Sequence, residues 1–290
     1  MQLTQKKSRR GDLLTAAAVA MLLAVMAALL YTGSLTRQVT NMLIPTAVYI
    51  VMAVSLNLVV GLLGELSLGH AGFMSVGLFS GCLVAIALTN TALPLMVRLP
   101  VSMLAGGLTA AVFGLLVGLP TLRLRGDYLA IVTLACGEII KNIITNLRVT
   151  GGALGLNTSA IYAGAKELLP YGAALVLLTV AVMLNLKRSK YGRAIMAIRD
   201  NRIAAESVGL SVTRYKLAVF VIAAFFAGCA GVLYGHSLAN IKAAAFDYNM
   251  SIEILVIVVL GGMGSVPGSV VSAIVLTVLP EALREVADYR

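Results

Sequence analysis

Nine apolar stretches recur along this 290-residue chain, at roughly 13–31, 42–62, 70–89, 99–119, 128–147, 168–186, 217–235, 249–262 and 266–280. An α-helix needs about 20 apolar residues to cross the hydrocarbon layer of a bilayer. Backbone polar groups find no water there, so each stretch must satisfy its own in a helix. A barrel would alternate apolar and polar residues, and no alternation is visible. Composition agrees, with 60% hydrophobic and only 12% charged residues, about half the charged share of a soluble domain. A soluble enzyme, a nucleic-acid-binding domain and a disordered tail are set aside. The expectation is an all-α polytopic membrane protein of about nine spans, range 8–10, with 1–290 forming a single transmembrane domain.

The net charge of +10 has an orienting rather than a nucleic-acid-binding use. With the N-terminus inside and the sides alternating, the inner segments are 1–12, 63–69, 120–127, 187–216 and 263–265. They hold 14 of the 22 Lys and Arg residues, as the bias toward basic cytoplasmic loops requires. Nine crossings then leave the C-terminus external. Lys6, Lys7, Arg9 and Arg10 before Leu13–Tyr31 imitate a signal peptide, but the run is long enough to span and further spans follow, so it reads as an uncleaved first helix. The eighth stretch is short and is followed by Gly261–Gly268, which predicts a broken or re-entrant segment near 249–268.

Small residues four apart occur at Gly77/Gly81, Gly114/Gly118, Gly231/Gly235 and Gly264/Gly268, a spacing that lets helix backbones approach closely within the molecule. Cys82, Cys136 and Cys229 each sit inside an apolar run and read as small packing residues.

The segment 187–216 is the one sizeable polar loop, with a helix expected over Ala194–Val208 and stopped by Gly209. Two readings stand: a basic loop lying on anionic lipid, or a docking helix for a cytoplasmic protein. Asp200 and Glu206 within the basic field suit the second.

Polar residues inside spans are functional candidates by default. Glu138 has Lys141 three residues on and Asn142 and Asn146 on the same helical face, which fits either a pathway or a structural ion pair. Asn57, Glu65, Ser67 and His70 form a polar patch beside Gly61, Gly64 and Gly69, which fits a broken helix near a pathway or simply a loop between packed helices. Glu253 lies near the outer end of the short eighth stretch. There is no metal-ligand cluster, no nucleophile–base pair and no phosphate-binding G-x-x-x-x-G-K-[ST] loop.

Several stretches together resemble one family. Tyr191-Gly192-Arg193-Ala194, Ala197-Ile198-Arg199-Asp200-Asn201, Ile203-Ala204-Ala205-Glu206 and Gly209-Leu210, continuing through Val212–Leu217, resemble the permease subunits of ABC importers for branched-chain amino acids. Leu122-Arg123-Leu124-Arg125-Gly126-Asp127-Tyr128-Leu129-Ala130-Ile131, Leu56-Asn57-Leu58, Leu66–Phe73 and Val259–Ser265 resemble further signatures of the same subunits. Arg125–Tyr128 is closer to the M-type than to the H-type member of the permease pair.

The resemblance implies a permease that conducts leucine, isoleucine and valine, or in related systems urea, short amides or other amino acids, across a bacterial inner membrane. It implies a second, H-type permease, two ATPases carrying ATP and Mg, and an external binding protein as partners. Gly192, Arg193, Arg199, Asp200, Asn201, Ala204, Ala205, Glu206 and Gly209 become the ATPase-coupling residues, with Arg199, Asp200 and Glu206 as the state-dependent contacts. Asn57, Glu65, His70, Glu138, Asn142 and Glu253 become the pathway candidates. Members of the family continue past a stretch like Leu279–Leu283 into a further helix and an inner tail, so a chain ending at Arg290 is expected to lack that helix. An ion-gradient-driven transporter is the competing class, kept open by Glu138.

Overall fold

The computed structural model describes residues 2–32, 36–91, 93–121, 124 and 126–287, with side chains described between 16 and 280 of these. Leu122, Arg123 and Arg125 lie outside the described residues, as do the side chains of Lys6, Lys7, Arg9, Arg10 and Glu281–Leu283.

Eleven helices follow one another: α1 Gln2–Tyr31, α2 Arg37–Asn57, α3 His70–Ala87, α4 Leu95–Thr121, α5 Asp127–Asn146, α6 Ala165–Arg188, α7 Lys190–Asp200, α8 Arg202–Ser207, α9 Val212–His236, α10 Tyr248–Leu260 and α11 Val266–Ala287. Among the described residues seven helical stretches are long and apolar enough to cross a membrane, and shorter apolar helices occupy Ala16–Tyr31 and Val266–Pro280. Together they coincide with the nine stretches read from the sequence. Most of the helices run several residues past the apolar boundaries. Leu156–Asn157 (β1) and Asn240–Ile241 (β2) form a two-residue antiparallel pairing that no sequence pattern announced.

α2 is the axis of the bundle, with Ile50–Asn57 buried on every side. Around it lie α6, α9, α10 and α11, and on the far side of α9 the helices α3, α4 and α9 pack backbone to backbone. A Cβ on Gly77 would overlap Gly228, and one on Gly231 would overlap the Met74 carbonyl. The glycine pairs are thus intramolecular contacts, where close approach gains dispersion energy that apolar surface burial cannot supply in lipid. The outward faces of α1 and α4 are continuous apolar surface, with Met21, Val25, Met96, Leu104, Leu108 and Leu116 exposed.

Two departures from straight spans position the functional residues. α2 continues as a π-helical turn over Leu58–Leu63 and ends at Gly64 with φ 76°. Residues 64–69 then return without helical structure to the start of α3. The second departure is α10, whose 13 α-helical residues reach about 20 Å, so that the apolar stretch attains the length of a span only with the 3-10 turn Ala243–Ala245 before it. A tight turn with Gly262 at φ 87° and Gly264 at φ 83° joins it to α11. The break expected near 249–268 therefore takes the form of a short helix and a hairpin turn.

Candidate functional site

The first group of residues hangs on the end of the bundle where α2 stops and α9 starts. α6 turns sharply into α7. The Ser189 hydroxyl accepts from the Gly192 amide at 3.0 Å. A Cβ on Gly192 would overlap the Leu186 carbonyl, so only glycine fits this corner. Arg193 donates to the Arg188 carbonyl at 3.1 Å. A single helix over 194–208 was expected, but the structure has two, because the Asn201 side chain accepts from the Ala204 amide at 3.0 Å and starts a second helix. Gly209, at φ 85°, closes α8. Ile198, Ala205 and Val212 form a small apolar contact that fixes α7 and α8 to the bundle. Facing away, Ile203 is 81% and Val208 76% exposed. Beside them stand the ion pairs Arg199–Asp200 at 3.0 Å and Arg202–Glu206 at 2.8 Å.

The inward side of the same helices holds the end of α2. Carbonyls at a helix C-terminus lack intrahelical partners and attract cations. Arg199 Nη1 donates to the Gly61 carbonyl at 3.0 Å. Its aliphatic stem lies over Gly64, where a Cβ would come within 2.5 Å of Arg199 Cγ. Lys216, nearly fully buried, pairs with Glu65, and Glu65 Oε2 is buried with no hydrogen-bond partner among the described residues. A cavity of about 250 Å³ lies between Glu65, Lys216, Arg199 and Arg202. Asn57, fully buried, accepts from the Gly264 amide at 2.7 Å and donates to the Ser265 carbonyl at 3.2 Å and Ser269 Oγ at 2.8 Å.

The second group lies deeper. Glu138 is 11 residues into α5, about 16 Å along the helix. Its Oε1 accepts from the Tyr248 amide at 2.9 Å, and its other oxygen pairs with Lys141. The first turn of α10 is also capped by Asp247, which accepts from the Met250 amide at 3.2 Å. Ser251 Oγ accepts from the Ala71 amide at 3.3 Å, and Thr133 Oγ1 accepts from the Leu68 amide at 3.1 Å. So the non-helical return before α3 and the beginning of α10 meet beside α5, and side chains satisfy their backbone groups, as irregular backbone at membrane depth demands. His70 lies 2.8 Å from Ser55 Oγ, inside the α2–α3 contact. Beyond α10, a cavity of about 420 Å³ is lined by Tyr49, Tyr234, Phe246, Asp247, Asn249 and Glu253, with the Tyr49 hydroxyl donating to Glu253 at 3.2 Å. Asn142 stands on the exposed face of α5, in a groove with Ile139, Ile143 and Asn146.

The expected pathway residues therefore divide. Glu138 caps the start of α10 and Glu253 stands on it, Asn142 lies outward on α5, His70 is buried in a helix contact, and Asn57 and Glu65 lie at the end of α2 beside α7. Sequence reading did not single out Lys216, Tyr49, Asp247 or the serines of the α10–α11 hairpin. Lys216 was visible as a charge entering an apolar run. The others carry no signal without the fold that joins them to α2 and α10.

A polytopic α-helical protein, with a surface helix pair on one end and an internally capped half-helix, is the class these features define. The model of the family described as branched-chain amino acid transport system / permease component matches residues 38–289, and the chain belongs to that family. The chain is 36% identical over 283 residues to the high-affinity branched-chain amino acid transport system permease protein LivM of Salmonella typhimurium, covering 84% of this chain. Against the Escherichia coli protein of the same name it is 37% identical over 277 residues, again 84% of this chain. The chain spans 63% of the length of each of these relatives. The ribose import permease protein RbsC of Haemophilus influenzae is 25% identical over 256 residues, covering 85% of this chain and 77% of that protein. No solved structure matches.

Proposed function

We propose that this chain is one permease of an ATP-driven importer for leucine, isoleucine and valine. It sits in a bacterial inner membrane with its N-terminus and the 187–216 segment cytoplasmic. A second permease of the H type, two ATPases and an external binding protein complete the machine, and ATP and Mg act on the ATPases. The observation that carries the reading is the α7–α8 pair. It presents Ile203 and Val208 to solvent between ion pairs of both signs while Arg199 ties it to the end of α2. Exposed apolar side chains rimmed by charge fit a protein groove better than a lipid surface. The substrate follows from the relatives' names and from the family.

The pathway in this reading runs along α10 and the exposed face of α5, past Glu253, Glu138 and Asn142. Those helices carry Asn142, Asn146 and Glu253 on exposed faces that also hold Ile139, Ile143 and Ile252, whereas the exposed faces of α1 and α4 are apolar surface suited to lipid. An ion-gradient mechanism loses its main support, because Glu138 is held by Lys141 and the Tyr248 amide rather than left to bind a proton or sodium.

The test is uptake of labelled leucine into proteoliposomes holding this chain, its neighbouring permease and both ATPases, with binding protein outside, ATP inside and no ion gradient. ATP-dependent accumulation is the expected result. A complex that assembles and hydrolyses ATP but moves no leucine rejects the substrate. Failure of the ATPases to bind rejects the importer reading.

A further inference from the structure

We propose that Asn57 is a positioning residue that makes the α10–α11 hairpin move with the α7–α8 docking surface. The inference rests on the permease reading above and adds to it the element that receives the push. Three pieces of chain meet at the end of α2. α7 arrives through Arg199 Nη1 on the Gly61 carbonyl, 3.0 Å. The hairpin arrives through Asn57, whose carbonyl holds the Gly264 amide at 2.7 Å and whose amide nitrogen holds the Ser265 carbonyl at 3.2 Å and Ser269 Oγ at 2.8 Å. The end of α6 arrives through Lys187 Nζ on the Gly264 carbonyl, 3.0 Å. Asn57 and Ser269 are fully buried, and a Cβ on Gly61 would overlap both Asn57 and the Gly264 backbone.

Nothing at this junction has room to shift alone. If α7 is displaced, the Gly61 carbonyl and the Asn57 amide one turn before it move with it, and so does the turn they grip. That turn is built to pivot. Gly262 and Gly264 both stand at positive φ, where glycine rotates without a steric penalty. α10 between them and Tyr248 is a short stiff rod, held at its far end by Glu138 and touching the Tyr49–Glu253 contact on the way. A push at the docking end is thus delivered to the middle of the molecule through a contiguous chain of packed and hydrogen-bonded groups, the physical requirement for such coupling. Asn57 lines none of the cavities described above, and it acts through α10 rather than on the solute.

The experiment uses the whole complex in liposomes. Met263, at the tip of the hairpin, is 61% exposed and accepts a spin label as Met263→Cys in a Cys136→Ala background. With wild-type Asn57, adding ATP is expected to change the label's spectrum. In Asn57→Ala the ATPase rate per complex is expected to stay within about twofold while uptake falls about tenfold and the label stops responding to ATP. Ser269→Ala deletes one of the three bonds of Asn57 at little change in volume and gives an intermediate loss, which serves should Asn57→Ala fail to assemble. A label that responds equally in the Asn57 or Ser269 variant overturns the proposal. So does a wild-type label that never responds, or a loss of uptake and ATPase in proportion to the amount of complex. A wild-type chain that recruits no ATPase overturns the importer reading itself.

Discussion

The Tyr248 amide donates to Glu138 Oε1 at 2.9 Å, so the start of α10 is capped by a carboxylate from another helix. A negative group at a helix N-terminus is favourable by about 0.3–1 kcal/mol, and more when partly buried. Glu138→Gln keeps an acceptor for the amide and removes the charge. The expected outcome is a normal amount of protein with a melting temperature near that of the parent, and uptake reduced about tenfold at equal protein level. Glu138→Ala removes the cap as well and costs about 1 kcal/mol of stability on top. Unchanged uptake in the glutamine variant would leave Glu138 a structural role only.

Lys216 and Glu65 form the buried ion pair at the α2–α9 contact. Removing one partner leaves the other charge without compensation, at a cost of about 3–5 kcal/mol, whereas apolar replacement of both is close to neutral. Lys216→Met is therefore expected to melt far below the parent, and Lys216→Met with Glu65→Leu to recover most of the difference. Thermal melts in detergent read the cycle directly. Two single variants as stable as the parent would show that the pair contributes nothing.

Gly228 sits where α9 crosses α3 and α4. A Cβ there would lie 2.5 Å from Ala110 Cβ and 2.6 Å from the Gly106 carbonyl. Backbone has no rotamer by which to yield, so Gly228→Leu is expected to prevent the three helices from closing and to abolish the monodisperse peak on size exclusion. Gly209→Leu, at an open position, is the contrasting case: its φ of 85° carries a strain of about 1–2 kcal/mol without a clash, and the protein survives.

These residues also mark how far the sequence could be read. The nine apolar helical stretches were legible because bilayer physics leaves only helices for apolar runs of that length, and Gly261–Gly268 announced a break. Whether α10 crossed, re-entered or stopped depended on partners that no local pattern reveals: Glu138 110 positions away from Tyr248, and Asn57 207 away from Gly264. The 187–216 segment was legible as a charged surface helix, but its division at Asn201 was not. Asparagine inside a run of good helix formers reads as tolerated until its side chain is seen on the Ala204 amide. Asn57 and Glu65 were assigned to the pathway because polarity within an apolar run is ambiguous between lining a path and holding helices together. The fold adds what each one touches: Asn57 meets the Gly264 amide and the Ser265 carbonyl, and Glu65 meets Lys216 at the edge of a cavity.

Gly64 and Arg199 offer the sharpest test of the link between the docking helices and α2. Gly64 stands at φ 76°, which costs a non-glycine residue about 1–2 kcal/mol. The space its side chain would take is filled by the stem of Arg199, with Cγ 2.5 Å from the Cβ position. Gly64→Ala must therefore strain the turn and push Arg199 off the Gly61 carbonyl. Arg199→Met separates the two effects: it keeps an apolar stem over Gly64 and loses only the hydrogen bond. The expectation for Gly64→Ala is a lower melting temperature together with fewer leucines moved per ATP. For Arg199→Met it is an unchanged melting temperature with the same fall in leucines per ATP. Measuring uptake and ATP hydrolysis on the same liposomes gives that ratio. If Arg199→Met couples as well as the parent, the Arg199–Gly61 contact merely seats α7, and the proposed push on α7 and α8 would have to reach the bundle by another contact.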